Sequence, residues 1–267
     1  MQAELPAEAG QPVQYWMVLG EQRVPLNELL GESITLQHQG GIYCVHCGRK
    51  TNKSFNQGYC YPCFRSLAQC DLCIVSPEKC HYHAGTCREP SWGDDFCMTD
   101  HIIYLANSST IKVGITRATQ IPTRWIDQGA VQALPIYHVQ TRQQSGLVEV
   151  LFKSHIADKT NWRAMLKGSP QPIDLSTRAA ELKSQLAAEI SDLQRQYGLQ
   201  AIQECQGVAV ELHYPVLQYP EKISSYNFDK TPQVAGRLLG IKGQYLLLDG
   251  GVINLRKFSG YHISLSF

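Results

Sequence analysis

Two cysteine pairs of identical spacing, Cys44-Val45-His46-Cys47 and Cys60-Tyr61-Pro62-Cys63, constrain this chain more than any other feature. The two-residue gap lets both thiolates of a pair reach one ion from a tight turn, and two such turns complete a tetrahedron around zinc. Gly48 and the Gly58-Tyr59 stretch suit the tight backbone this requires. Four thiolates leave no open coordination position, so the expected role is structural rather than catalytic.

Nine of the ten cysteines fall between residues 44 and 101. No basic-then-apolar leader opens the chain and no apolar run is long enough to cross a bilayer, so a cytoplasmic protein with reduced thiols is expected. Beyond the first four come Cys70, Cys73, Cys80, Cys87, Cys97 and His101, with His81 and His83 as weaker candidates. They are too many for one ion. The expectation is one further zinc or two, held by Cys70 and Cys73 with partners from Cys80, Cys87, Cys97 and His101. No carboxylate stands beside this cluster in the H-x-E arrangement of a zinc deaminase.

Hydrophobic residues make up 43% of the 267 residues and charged residues 18%, which implies a packed core. The expected class is α+β, in five segments: a disordered start and short strands (1–43), a zinc region (44–101), a small α/β core (102–170), a helical segment (171–204) and a C-terminal small β-barrel or sandwich (205–267). Residues 1–11 are read as disordered. Ile102–Ala106 and Ile111–Ile115 around Asn107-Ser108-Ser109 signal a hairpin. Helices are expected over 122–128, 146–157 and 176–197. The last carries a stripe of Leu182, Leu186, Ile190, Leu193 and Tyr197 before Gly198. Strands are expected at Val208–Leu212, Tyr245–Leu248 and Val252–Leu255. The glycine-rich β texture at both ends suggests that N- and C-terminal strands pair.

The net charge of +1 conceals a local basic excess between 101 and 170. Lys112, Arg117, Arg124, Arg142, Lys153, Lys159, Arg163 and Lys167 outnumber Asp127, Glu149 and Asp158 there. Trp125, Tyr137 and Trp162 lie among these charges as candidate surfaces for base stacking.

The order Ile103-Tyr104, Lys112-Val113-Gly114, Arg124, Glu149 and Asn161 resembles the GIY-YIG nuclease superfamily over roughly 101–165. That resemblance implies a metal-dependent phosphodiesterase. Glu149 would hold Mg²⁺ or Mn²⁺, Arg124 would grip the scissile phosphate, Tyr104 would act on the attacking water, and Asn161 would be the late asparagine. Lys112, Gly114, Arg117, Trp125, Gln128 and Lys153 are the candidate nucleic-acid contacts around them. The first motif reads Ile-Ile-Tyr, the second lacks its tyrosine, and Gln128 stands where a histidine often follows the arginine. Two groups proposed to handle protons are thus absent.

Over most of its length the chain is also similar to a bacterial domain-of-unknown-function family, number 2797. The segments GYCYPCFRSLAQCDLC, PEKCHYHAGTCREPSWG and KVGITRATQIPTRWIDQGA carry that likeness. The combined expectation is a zinc-containing protein that binds DNA or RNA, with a possible endonuclease core. The alternatives are a binding module that does not cut and a zinc-stabilised scaffold for protein interactions.

Overall fold

The computed structural model describes residues 1–267 except Ala9, Ala157 and Asp158. The chain is mixed α+β with several sheets. In chain order its elements are β1 (Gln2–Glu4), β2 (Gln14–Leu19), β3 (Gln22–Pro25), β4 (Ser33–Ile42), α1 (Tyr61–Ser66), α2 (Pro90–Phe96), β5 (His101–Asn107), β6 (Ile111–Arg117) and α3 (Thr123–Asp127). They continue with β7 (Gln132–Val139), α4 (Arg142–Lys153), α5 (Trp162–Met165), α6 (Leu175–Gln185), α7 (Ala187–Tyr197), β8 (Ile202–Glu204) and β9 (Val210–Glu211). β10 (Gln233–Lys242), β11 (Tyr245–Leu248), β12 (Gly251–Asn254) and β13 (Tyr261–Ser266) close the chain.

β5 is the central strand of the core sheet, ordered β6-β5-β7-β8 with β9 also on β7. Its side chains alternate faces with period two, and both faces are covered. Ile102, Tyr104 and Ala106 enter one apolar cluster with Trp125 and Ile126. Ile103 and Leu105 enter another with Val148, Phe152, Leu182 and Ile190. This explains why β5 is nearly continuous in apolar residues. The expected hairpin is present, with Asn107 drawn into β5 opposite Ile111. Its side chain is held there by bonds to the Gln132 side chain (3.2 Å) and the Gln171 carbonyl (2.9 Å).

The two chain ends do pair. β4 lies between β10 and β13 in a second sheet ordered β12-β11-β10-β4-β13. Ser33 faces Arg237 on one side and Thr35 faces Ser266 on the other. The C-terminal strands are therefore completed by a strand from the start of the chain. The strand expected over Val208–Leu212 is only two residues long and pairs with β7 of the core sheet instead. The expected disorder of 1–11 is also corrected. Gln2–Glu4 pair with β2, and buried Ala3 joins the first apolar cluster; Ala9 lies outside the described residues.

The helix expected over 176–197 is two helices, separated at Leu186 (φ −103°, ψ 11°). Leu182, Leu186 and Ile190 are all buried, so both halves hold the sheet. Gly198 ends the second half at φ 96°. Helix α4 starts earlier than expected because Thr141 and Gln144 form a reciprocal capping box. It ends at Lys153, and Ala157, the last residue of the expected helix, lies outside the described residues. Among the described residues, no helix is long and apolar enough to cross a membrane.

Candidate functional site

Cys44, Cys47, Cys60 and Cys63 bring their sulfurs within 4.8 Å of one another, an arrangement that can hold a metal ion such as zinc. The first pair sits in a turn closed by the Gly48 N–H on the Cys44 carbonyl (2.9 Å). The second pair opens α1: Cys60 is its N-cap, Pro62 lies in its first turn, and Cys63 points back from the helix. The Cys47 and Cys60 sulfurs are 3.7 Å apart. A regular tetrahedron with metal–sulfur bonds of about 2.3 Å has edges of about 3.8 Å, so this spacing suits one ion.

The electrostatics agree. Burial resists ionisation of Cys44, but N–H groups of Cys47, Cys60 and His46 converge on its sulfur and bring it down to about 6. Burial and the neighbouring thiols push Cys63 strongly up. Four thiols this close cannot all ionise without a cation between them.

The other cysteines divide differently from the expectation. Cys70 does not share a group with Cys73. It packs with Cys44, Cys60, Cys63 and Leu67, and its sulfur accepts from the Asn56 side chain (3.7 Å). The reason is local. Cys70 ends one 3₁₀ turn, Asp71 is extended (φ −68°, ψ 157°), and Cys73 lies inside the next turn. Cys73, Cys80, Cys87 and Cys97 all line one small cavity.

His101 is not in that lining. It is fully buried, with Nδ1 on the Thr99 carbonyl (2.6 Å) and no partner for Nε2. Burial pulls its imidazole down to about 4, so it is neutral. Sequence reasoning missed Asp71, which stands within 4.8 Å of Cys73 and His81 donor atoms. Its place inside the Cys70–Cys73 knuckle was the available signal.

The core hairpin positions a third constellation. Tyr104 on β5 faces Gly114 on β6 and is fully buried, and among the described residues its hydroxyl closes no well-formed hydrogen bond. Burial raises its pKa and so resists ionisation, while Arg124 and Gln128 of the α3 turn act on the hydroxyl in the opposite sense. Glu149 on α4 is close enough to add to the rise. Tyr104, Gly114, Arg124, Gln128 and Glu149 are thus brought together from four elements. Asn161 is placed elsewhere in role: its side chain caps α5 by accepting from the Ala164 N–H (3.2 Å). Glu149 is nearly buried and pairs with Lys153 at 3.1 Å.

Several candidate nucleic-acid contacts take other roles. Trp125 is 3% exposed and Tyr137 2%, both inside apolar clusters, so neither offers a face to a base. Lys112 is 5% exposed. Arg117 covers the Phe96 ring at 4.3 Å, and Arg142 donates to the Ile74 carbonyl (2.6 Å). What remains at the surface is Lys159, Arg163 and Lys167. Arg163 covers the half-buried Trp162, which stacks on Tyr245 at 5.6 Å. Asp158, one of the three acids of this stretch, lies outside the described residues.

Fold and site together define an α+β protein with a four-cysteine group suited to a metal ion. The chain belongs to the family described as "Protein of unknown function (DUF2797)", whose model matches residues 31–263. No curated protein and no solved structure matches the chain.

Proposed function

We propose that this protein binds nucleic acid and that Cys44, Cys47, Cys60 and Cys63 hold a structural zinc ion. The observation that carries the reading is the surface around α5. Lys159, Arg163 and Lys167 are exposed within nine residues of chain, and Arg163 covers the ring of Trp162. Exposed cations grouped in this way suit a phosphate backbone, with Trp162 packed between Arg163 and Tyr245.

The resemblance of the hairpin to GIY-YIG nucleases supports a second reading, a metal-dependent endonuclease. The approach of Arg124 and Glu149 to Tyr104 favours it. Two features weigh toward binding without cutting. Tyr104 is closed off from solvent, and Lys153 occupies the Glu149 carboxylate that a divalent metal would need.

The test is a gel-shift and cleavage assay on single-stranded and duplex DNA and RNA with Mg²⁺ or Mn²⁺. Wild type is compared with Arg163→Ala/Lys167→Ala, Arg124→Ala and Glu149→Ala. The binding reading expects affinity that falls steeply between roughly 50 and 200 mM salt, weakens in the double variant and survives Glu149→Ala. Cutting that Arg124→Ala and Glu149→Ala both abolish would establish the endonuclease. An absence of salt-dependent binding would leave a zinc-stabilised interaction scaffold.

A further inference from the structure

We propose that Cys73, Cys80, Cys87 and Cys97 bind a second zinc ion, separate from the first four-cysteine group. The four thiols come from four different local segments and line one cavity of about 10 Å³; unlike the first group, these sulfurs are not all drawn within 4.8 Å of one another, and binding would pull the turns together. That space admits a guest of atomic size and no organic ligand. Three of the four thiols are buried and Cys87 is half-buried. The nearby charges are mixed: Arg88 and Asp71 both line the cavity, and the Arg142 guanidinium favours ionisation of Cys73, Cys80 and Cys97. A zinc ion with four thiolates carries a net charge of two minus, which Arg142 offsets in part, Arg88 being paired with Asp71.

The competing donor set is Asp71, Cys73 and His81. Its members are already engaged. One Asp71 carboxylate oxygen pairs with Arg88 (2.6 Å), and the other accepts from the Cys73 N–H (3.3 Å). The His81 ring meets Thr86 through Nδ1 (2.8 Å) and Asp71 through Nε2 (3.6 Å). The thiols are the soft donors that line the cavity, Cys87 donating weakly to the Glu89 carbonyl (3.5 Å), and a tetrahedral thiolate set suits zinc.

The ligand turns are also the surface on which α4 rests. Gln143 donates to the Cys80 carbonyl (3.0 Å), and Arg142 bonds the Cys97 and Ile74 carbonyls. A zinc ion here would cross-link the turns that seat the helix bearing Glu149.

The experiment is native mass spectrometry of the full chain purified with zinc, joined to X-ray absorption at the zinc edge. The expected result is two zinc ions per chain with a first shell of sulfur alone at about 2.3 Å. Cys80→Ser and Cys97→Ser should each hold one, while Cys70→Ser and His81→Ala keep two. One zinc in the wild type, or nitrogen and oxygen at about 2.0–2.1 Å in the shell, would overturn the proposal. Loss of an ion in His81→Ala would do the same. If the serine variants do not fold, the wild-type count and shell decide alone. None of these readouts depends on nucleic acid.

Discussion

Tyr104 and Gly114 face each other across the β5–β6 hairpin, and the phenol ring fills the space that a side chain at 114 would need. A Cβ on Gly114 would lie 2.7 Å from both the Cζ and the hydroxyl oxygen of Tyr104. Neither atom can retreat, because the ring is fully buried against Trp125 at 6.0 Å between centroids. Gly114→Ala should therefore destabilise the protein by about 1–3 kcal/mol through overpacking, read as a lower urea midpoint. Tyr104→Phe should cost less than about 1.5 kcal/mol, since Arg124 and Gln128 approach the buried hydroxyl without closing a well-formed hydrogen bond to it. A large loss of stability in Tyr104→Phe would mean that the hydroxyl has a bonded partner in solution.

A second close approach joins the cysteine region to the core. A Cβ on Gly146 of α4 would lie 2.2 Å from the Glu78 backbone nitrogen and 2.7 Å from the Pro77 Cβ. Backbone cannot yield as a flexible side chain can. Gly146→Val should separate α4 from the 77–79 turn. Hydrogen exchange in 142–149 should rise sharply while the metal-binding capacity of the Cys44–Cys63 group is unchanged. Unchanged exchange would show that the two surfaces do not meet in solution.

Chelation should act locally before it acts globally. The first four-cysteine group closes the 44–63 segment with few other apolar contacts, mainly Leu67, Cys70, Tyr59 and Phe64. Removing its ion should expose 48–59 to proteolysis and all four thiols to alkylation, with the core sheet still protected. Simultaneous loss of the core would refute the separation.

Lys242 supplies a pH test. It is fully buried, donates to the Gly168 carbonyl (2.9 Å) and lies 5.2 Å from the Tyr219 ring centroid. Burial lowers its ammonium from 10.5 to about 8. The unfolded chain then binds more protons between about pH 8 and 10.5, so stability contributed at this position rises with pH across that window. It is at its lowest below pH 8, where both states are charged. Compared with Lys242→Met, wild type should gain up to about 3 kcal/mol on going from pH 7 to pH 10. Parallel urea curves for the two proteins would contradict this.

The sequence carried local chemistry well. The C-x2-C spacings picked out the four-cysteine group suited to a metal ion, because its cysteines lie on two short turns whose geometry depends only on nearby residues. The hairpin, strand β11 and the apolar stripe of the 176–197 segment were legible for the same reason: period and turn residues report local backbone. The length of β10, from Gln233 to Lys242, was not, because Gly236 and Gly240 interrupt its pattern and its pairing with β4 is remote in sequence.

Residue chemistry alone thus determined which side chains can hold a metal and where the backbone turns. Tertiary packing decided which of those side chains meet. It set Cys70 beside the first group and Cys73 against Cys80, Cys87 and Cys97, although the two cysteines are three residues apart. It buried Trp125 and Lys112 and left Lys159, Arg163 and Lys167 at the surface. The physical reason is that burial is a property of what covers a residue, and here the cover comes from strands and turns distant in the chain.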